Sequence, residues 1–504
     1  MRSVRLAHAI AVLAVGLLAS GAHASNGPMP STVGTKGPVS TPVDGDGQTM
    51  FRMPSSIAWS FDHRIDLDLF LVYTHSEMRN SLNDFDEGYS TFGGSLGFVF
   101  APGRPELTDE AEDLTDATAD VVEESVLSRF TLGLGVYPDI AGGGGPKDKV
   151  RLTTFPDFVG VRKSLSFLTA ALDVTFRPTR WLGLGLGLHV ISAEIDTGSL
   201  VGGNSTPLDG SPTINGVPFP GNPTYADFLG LFASTGATDP TSYFDAELSC
   251  IQFSATLSLS LRPFDQLGIG FSYRERSWAP TPFEGTARIS AERTFQNALG
   301  GLTPAIRDLF LQTLPDQGAR GFVSKYDAEL DGVHVPRQVR MSVAFWPIDR
   351  LLLSAEVAWI EWHRAFGTAS VRLSKGTNND LNFVVGSTSI NSRQDTRWSN
   401  TWIFSTYAAF GVTDSLTARL GLSFGESPLN EDRQDNVPSA GYVSTTVSAG
   451  VGWRLSDSVE LNLLLEYAPP TSRKSDDSAQ SLTAKKTTYT SDQFFAHVGV
   501  AWRF

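Results

Sequence analysis

Cysteine is almost absent: Cys250 is the one thiol in 504 residues, which excludes an internal disulfide framework and any multi-cysteine metal site. Charge is sparse, at 18% of residues against about 25% in ordinary globular proteins. What charge there is runs acidic, to a net −15, which argues against a nucleic-acid partner. Long apolar runs are missing too. Beyond the N-terminus no stretch approaches the roughly 18 consecutive apolar residues of a helical membrane span, so an α-helical membrane protein is excluded. The chain is instead rich in glycine (48 residues) and in aromatics (11%). With so little charge, that composition does not fit disorder.

The first residues read as an export signal. Arg2 and Arg5 form a positive start, Ala9 to Leu18 an apolar stretch, and Ala22-His23-Ala24 a small-residue cleavage site. That order predicts a secretory signal peptide over 1–24. Ser25 follows the cut, so no lipid anchor is expected there.

The rest of the chain alternates with period 2, the signature of strands. In the last strand Phe494, Ala496, Val498, Val500, Trp502 and Phe504 share one face, opposite Phe495, His497, Gly499, Ala501 and Arg503. Leu461, Leu463, Leu465 and Tyr467 likewise oppose Glu460, Asn462, Leu464 and Glu466. A soluble sandwich also alternates. These strands are longer than the roughly 5–6 residues usual in soluble sheets. Aromatics such as Trp181, Trp346, Trp402, Trp453 and Trp502 sit near strand ends, as a membrane girdle requires. The expected fold class is therefore all-β, a transmembrane antiparallel β-barrel lodged in outer-membrane lipid. Its terminal aromatic, Phe504, is of the kind that serves barrel assembly machinery.

Tight turns built on Pro and Asp at 177–180, 262–266, 346–350, 412–415 and 455–458 alternate with long polar connections at 139–162, 197–247, 278–332, 375–395, 427–440 and 470–490. The strands between them are expected at 64–78, 89–101, 126–138, 163–177, 181–196, 248–263, 266–277, 333–347, 351–374, 396–412, 415–427, 440–455, 458–469 and 490–504. That makes fourteen, an even number with both ends periplasmic. One connection breaks the rule: 102–125 should be a short turn but is long and acidic. It reads as a solvated insert or as a calcium or partner site, although no EF-hand spacing is present.

Several segments resemble one family. Phe271-Ser-Tyr-Arg-Glu-Arg-Ser-Trp278 followed by Phe283-Glu-Gly285, Val335-Pro-Arg-Gln-Val-Arg-Met-Ser-Val-Ala-Phe-Trp-Pro-Ile-Asp349, Leu353-Ser-Ala-Glu-Val-Ala-Trp-Ile-Glu-Trp362, and Leu416-Thr-Ala-Arg-Leu-Gly421 with Glu426-Ser-Pro428 stand in its order. Together they are similar to the outer-membrane long-chain fatty-acid and hydrocarbon transport proteins of FadL/TodX type, over roughly residues 160–504. The resemblance implies a fourteen-stranded barrel over 63–504 holding a small N-terminal plug, or hatch, over 25–62. Only Pro54 matches the end of the family's hatch motif. It also implies a kinked third strand that opens the wall sideways. Here that strand carries Gly133 and Gly135 and stops at Pro138.

Carrying an apolar solute across a polar outer leaflet needs apolar surface outside, an enclosed site, and an exit. Loop 197–247 offers Phe219, Tyr225, Phe228, Leu229, Leu231 and Phe232, and loop 278–332 offers Ile306, Leu309, Phe310, Leu311 and Leu314 at helical spacing. These are either a self-packed mini-core or a capture groove. Arg274, Arg340 and Arg419 point inward by alternation. They either meet a substrate carboxylate, for which a guanidinium fork is well suited, or pair with the inward Asp173, Glu356, Glu460 and Glu466. No spacing around His363 or His497 singles out a nucleophile, so no enzyme, cofactor or metal is expected. A monomeric channel for fatty acids or hydrocarbons is the expected function, with a general diffusion porin as the alternative.

Overall fold

The computed structural model describes residues 38–42, 45–60, 62–80, 84–102, 126–144, 150–152, 155–159, 162–201, 213–214, 217–218, 242–292, 295, 299–300, 303–395, 398–428, 445–475 and 487–504. Fourteen strands make the barrel: β1 (Arg64–Arg79), β2 (Asp84–Phe100), β3 (Phe130–Gly144), β4 (Arg162–Thr179), β5 (Leu182–Val201), β6 (Ser242–Phe264), β7 (Leu267–Arg274), β8 (Arg337–Ile348), β9 (Leu351–Glu361), β10 (Thr401–Gly411), β11 (Leu416–Gly425), β12 (Thr445–Ser456), β13 (Val459–Ser475) and β14 (Thr487–Arg503). Each pairs antiparallel with its neighbours in sequence, and β14 closes on β1 from Arg64↔Arg503 to Arg79↔Thr488. Closure satisfies backbone groups that would be costly to leave unpaired within lipid.

Alternation explains why these segments spread into a barrel wall rather than collapse. Along β8 the residues Met341, Val343 and Phe345 are exposed while Arg340, Ser342 and Ala344 are buried. Along β11, Leu420, Leu422 and Phe424 point out while Arg419, Gly421 and Ser423 point in. The outward residues form a continuous apolar belt, capped by Tyr73, Trp402, Trp453 and Tyr467. Among the described residues no helix is long and apolar enough to cross a membrane.

All five tight turns fall where the sequence puts them, between the paired strands β4–β5, β6–β7, β8–β9, β10–β11 and β12–β13. Four of these hairpins carry a register shift beside the turn. Two turns are tied across the rim by Arg350 and Asp414 at 2.6 Å.

The strand expected over 351–374 is not continuous. β9 ends at Glu361, the short helix α1 (Trp362–Phe366) follows, and Thr368–Ser374 leaves the barrel. The cause is a change of period. Trp362, Ala365 and Phe366 lie on one helical face and are all buried. Loop 278–332 is likewise more ordered than expected. Strands Phe283–Ser290 and Val323–Asp331 flank helix α2 (Pro304–Gln312), whose first residue, Pro304, suits that position by its fixed φ.

These pieces build an outer sheet that branches from the barrel wall at β6. Phe283–Ser290 pairs with the upper part of β6, then Val323–Asp331, Thr368–Ser374 and Ile390–Asp395 follow in turn. Its apolar face packs Phe283, Ile289, Phe295, Phe310, Phe322, Tyr326, Trp362 and Leu381 into the largest buried cluster. That cluster continues down the inner wall through Phe167, Ile191, Leu248 and Cys250.

Candidate functional site

Below the apolar cluster the inner wall is polar, lined by Ser254, Thr256, Ser258, Ser260, Ser272 and Ser342. Two short 3-10 turns, Thr49–Phe51 and Pro54–Trp59, are buried against it. Their polar backbone is held by wall hydroxyls. Ser55 N–H donates to Ser258 Oγ (2.7 Å) and its hydroxyl bonds that of Ser260 (2.7 Å). Thr175 Oγ1 donates to the carbonyl of Pro54 (2.8 Å), and Ser272 Oγ to that of Arg52 (2.6 Å). Ser40 N–H reaches Glu356 at 2.9 Å, and the Trp59 indole N–H reaches the Arg180 carbonyl at 3.0 Å.

Apolar contacts complete the seat. Met50, Phe51 and Ile57 form a cluster with Val99 and Ala171, and Phe51 stacks on Tyr137 at 4.1 Å between centroids. Sequence reading missed these three residues, although Met50, Met53 and Ile57 recur at three- and four-residue steps in a polar stretch.

Gly133 and Gly135 face inward under this segment. A side chain at Gly133 would meet Met50 Sδ and, at 3.2 Å, Asp173 Cβ; one at Gly135 would meet Phe51 and the Leu96 carbonyl. Both glycines lie in the paired part of the wall, opposite Val99 and Gly97. The break comes just above them. The β2–β3 ladder runs only from Phe100↔Leu132 to Leu96↔Val136, whereas β1 pairs β2 from Val99 up to Asp84. Beyond Val136, β3 keeps its register with β4 through a shift between Pro138 and Ile140. The extra residue, Asp139, bends the strand as a bulge does.

The three inward arginines are all buried and ion-paired. Arg340 pairs with Glu356 at 2.7 Å and Arg419 with Glu460 at 2.9 Å. Arg274 pairs with Asp139, not with Asp173. Reading Pro138 as the strand's end hid Asp139 from the sequence argument. Asp173, His189 and Tyr137 were also not singled out as a group. His189 links Tyr137 (3.2 Å) to Thr256 (3.0 Å).

In the outer sheet, Phe310 and Leu314 are buried in the self-packed core, Phe310 tilted against Phe295 at 6.1 Å, while Leu309 is partly exposed. Phe219, Phe228, Leu229 and Phe232 lie outside the described residues, as do 103–125 and the expected hatch residues before 38. A cavity of about 550 Å³ opens beside this sheet, lined by Pro280, Pro282, Glu329, His334, Arg372 and Arg393 among others. Its lining mixes these charged groups with apolar ones, Ala279 and Val371 among them. Burial, and then the charge of Arg276, lower the pKa of His334 from its ordinary value.

Among the described residues one trio, His75, Glu77 and Asp86, has metal-ligand character. Both nitrogens of that imidazole are already engaged by carboxylates, Asp492 at 2.7 Å and Asp86 at 2.6 Å. At the other end of β1, the Phe504 N–H closes on the His63 carbonyl at 2.9 Å.

No curated protein sequence matches the chain. Among solved structures, the toluene transporter TodX of Pseudomonas putida superposes with a TM-score of 0.64 at 14% identity, covering 96% of this chain and 100% of that one. The toluene transporter TbuX of Ralstonia pickettii gives 0.61 at 14% identity, with 95% and 98% covered. A FadL homologue of Pseudomonas aeruginosa gives 0.59 at 14% identity, with 91% and 94% covered. The model of the outer membrane protein transport protein family (OMPP1/FadL/TodX) matches residues 105–503. With its closed fourteen-stranded barrel, the chain belongs to that family, whose members are bacterial outer-membrane channels for hydrophobic small molecules and not enzymes.

Proposed function

We propose that this protein captures a hydrophobic solute, a long-chain fatty acid or a hydrocarbon, in its extracellular loop groove, passes it to the barrel interior and releases it sideways through the wall between β2 and β3. The observation that carries the reading is the shortened β2–β3 ladder, beside a β2–β1 ladder paired along its length. A sideways exit suits an apolar cargo, which gains about 0.8 kcal/mol per CH₂ in lipid relative to water. TodX and TbuX, whose barrels this one resembles, are toluene transporters.

In this reading residues 1–24 direct export and are cleaved. Residues 25–62 form the hatch, whose described part lies against the wall as set out above. Phe219, Phe228, Leu229 and Phe232 join Leu309 at the capture groove. The barrel works as a monomer, assembled through its C-terminal strand and Phe504.

Removing the bulge tests the exit. Deleting Asp139 together with Pro138→Val should straighten β3 and extend its pairing with β2. Uptake of labelled hydrocarbon by expressing cells should then fall, while heat-modifiable mobility on gels shows an intact barrel. Arg274→Gln controls for the lost ion pair. Undiminished uptake in the straightened barrel would remove the lateral route.

A further inference from the structure

The cavity at the foot of the outer sheet has a fixed relation to the membrane. β6 runs unbroken from the barrel wall into that sheet. On its outward face Leu257 and Ile251 are exposed within the apolar belt, and exposed Ser249 follows above them. Trp278 pairs with Phe253 of β6 and stacks on its ring at 5.0 Å between centroids. The indole is 58% exposed, and a tryptophan exposed on a lipid-facing wall marks the headgroup level. Ala279 to Pro282 follow it directly and form one side of the cavity. The cavity therefore opens where the headgroups of the outer leaflet stand.

Its other side is the outward face of the outer sheet. Register sets Glu329 beside Arg372, and Arg372 beside Asn391. One row nearer the barrel, Asp331 stands beside Ser370, and Ser370 beside Arg393. Glu329 holds Arg372 only loosely, at 3.9 Å. Arg393 is exposed and, among the described residues, has no ion pair. His334 also lines the cavity, and its Nδ1 atom is buried with no hydrogen-bond partner.

This mixture selects a chemistry. Two guanidinium groups favour an anion, and their planar forks suit phosphate. Glu329 and Asp331 oppose a bare anion but accept from hydroxyls, and Asn391, Ser370 and His334 add further acceptors and donors. Ala279, Pro280, Pro282 and Val371 supply apolar patches for the C–H face of a sugar ring. A hydrocarbon satisfies none of the polar groups. We infer that the cavity holds the phosphorylated sugar headgroup of an outer-leaflet glycolipid. Arg372 and Arg393 take the phosphate, the two carboxylates take sugar hydroxyls, and the acyl chains run down past Trp278 and Ile251. The continuity of the cavity with the lipid-facing wall favours a lipid over a free sugar phosphate. A glycolipid held in this way ties the outer sheet to the surface of the leaflet.

The purified barrel in detergent tests this when titrated with lipid A, a bisphosphorylated diglucosamine lipid, with bound lipid read by native mass spectrometry. The parallel titrations use the same lipid stripped of phosphate and free glucosamine 1-phosphate. Charge-assisted hydrogen bonds should favour the phosphorylated lipid over the stripped one by about tenfold. Arg372→Gln with Arg393→Gln should remove that advantage. Arg288 and Lys325 face each other higher on the same exposed sheet face. Arg288→Gln with Lys325→Gln removes the same charge there and should leave binding near the parent. All four side chains are exposed, and heat-modifiable mobility checks that each variant assembles. Equal losses in the two double variants would reduce the site to diffuse surface attraction and overturn it. Binding that ignores phosphate would overturn it as well. Glucosamine 1-phosphate bound as tightly as the lipid would overturn the lipid as the occupant.

Discussion

At the scale of single residues, the inner wall shows how the absence of a side chain does structural service. A Cβ at Gly97 would collide with the backbone of Gly47, which has no flexible end to swing away. One at Gly133 would first meet the thioether of Met50, which has. Gly97→Val is therefore expected to lift the N-terminal segment from the wall and raise liposome swelling with small sugars. Gly133→Ala should leave swelling close to the parent. His334 gives a second contrast. Because burial and Arg276 hold its pKa below the ordinary value, the unfolded segment binds a proton more readily than the folded one. Stability of the outer sheet should be full above about pH 6.5 and fall as the pH drops below that. Hydrogen exchange over 323–335 at pH 7.5 and 5.5 reads this out, and His334→Gln should flatten the difference.

At the scale of elements, the strands were legible because lipid on one side and a polar lumen on the other force a strict two-residue period. Gln493 to Phe504 shows it without interruption. Legibility failed where the period changed. Nothing in strand alternation marks Trp362 as the first residue of a helix until its spacing to Ala365 and Phe366 is weighed. The arginines were placed on the correct face, but their partners depend on register and bulges. Arg274 reaches Asp139, which follows the proline that by sequence ends the strand. By sequence the apolar residues of α2 and Leu314 just beyond it fit either groove or core, and Phe310 and Leu314 fall in the core. Phe310→Ala should therefore cost about 3–5 kcal/mol of local stability, seen as protease cleavage within 295–322 in otherwise heat-modifiable barrels. Leu309→Ser should leave cleavage unchanged.

At the scale of the whole molecule, the barrel ring and the outer sheet share a single strand. The ring is closed by β14 on β1, with the Phe504 N–H bonded to the His63 carbonyl at the seam. Deleting Phe504 should reduce the yield of folded barrel in the outer-membrane fraction without altering the affinity of the barrels that do form. The shared strand is β6. Its upper part carries Phe283–Ser290 and, through it, the outer sheet, while its lower part holds Ser258 and Ser260 under Ser55. A β-strand paired along both sides resists stretching and behaves as a stiff rod. β6 thus joins the outer sheet to the N-terminal segment through one strand, and a tilt imposed on the outer sheet is felt as shear at Ser55.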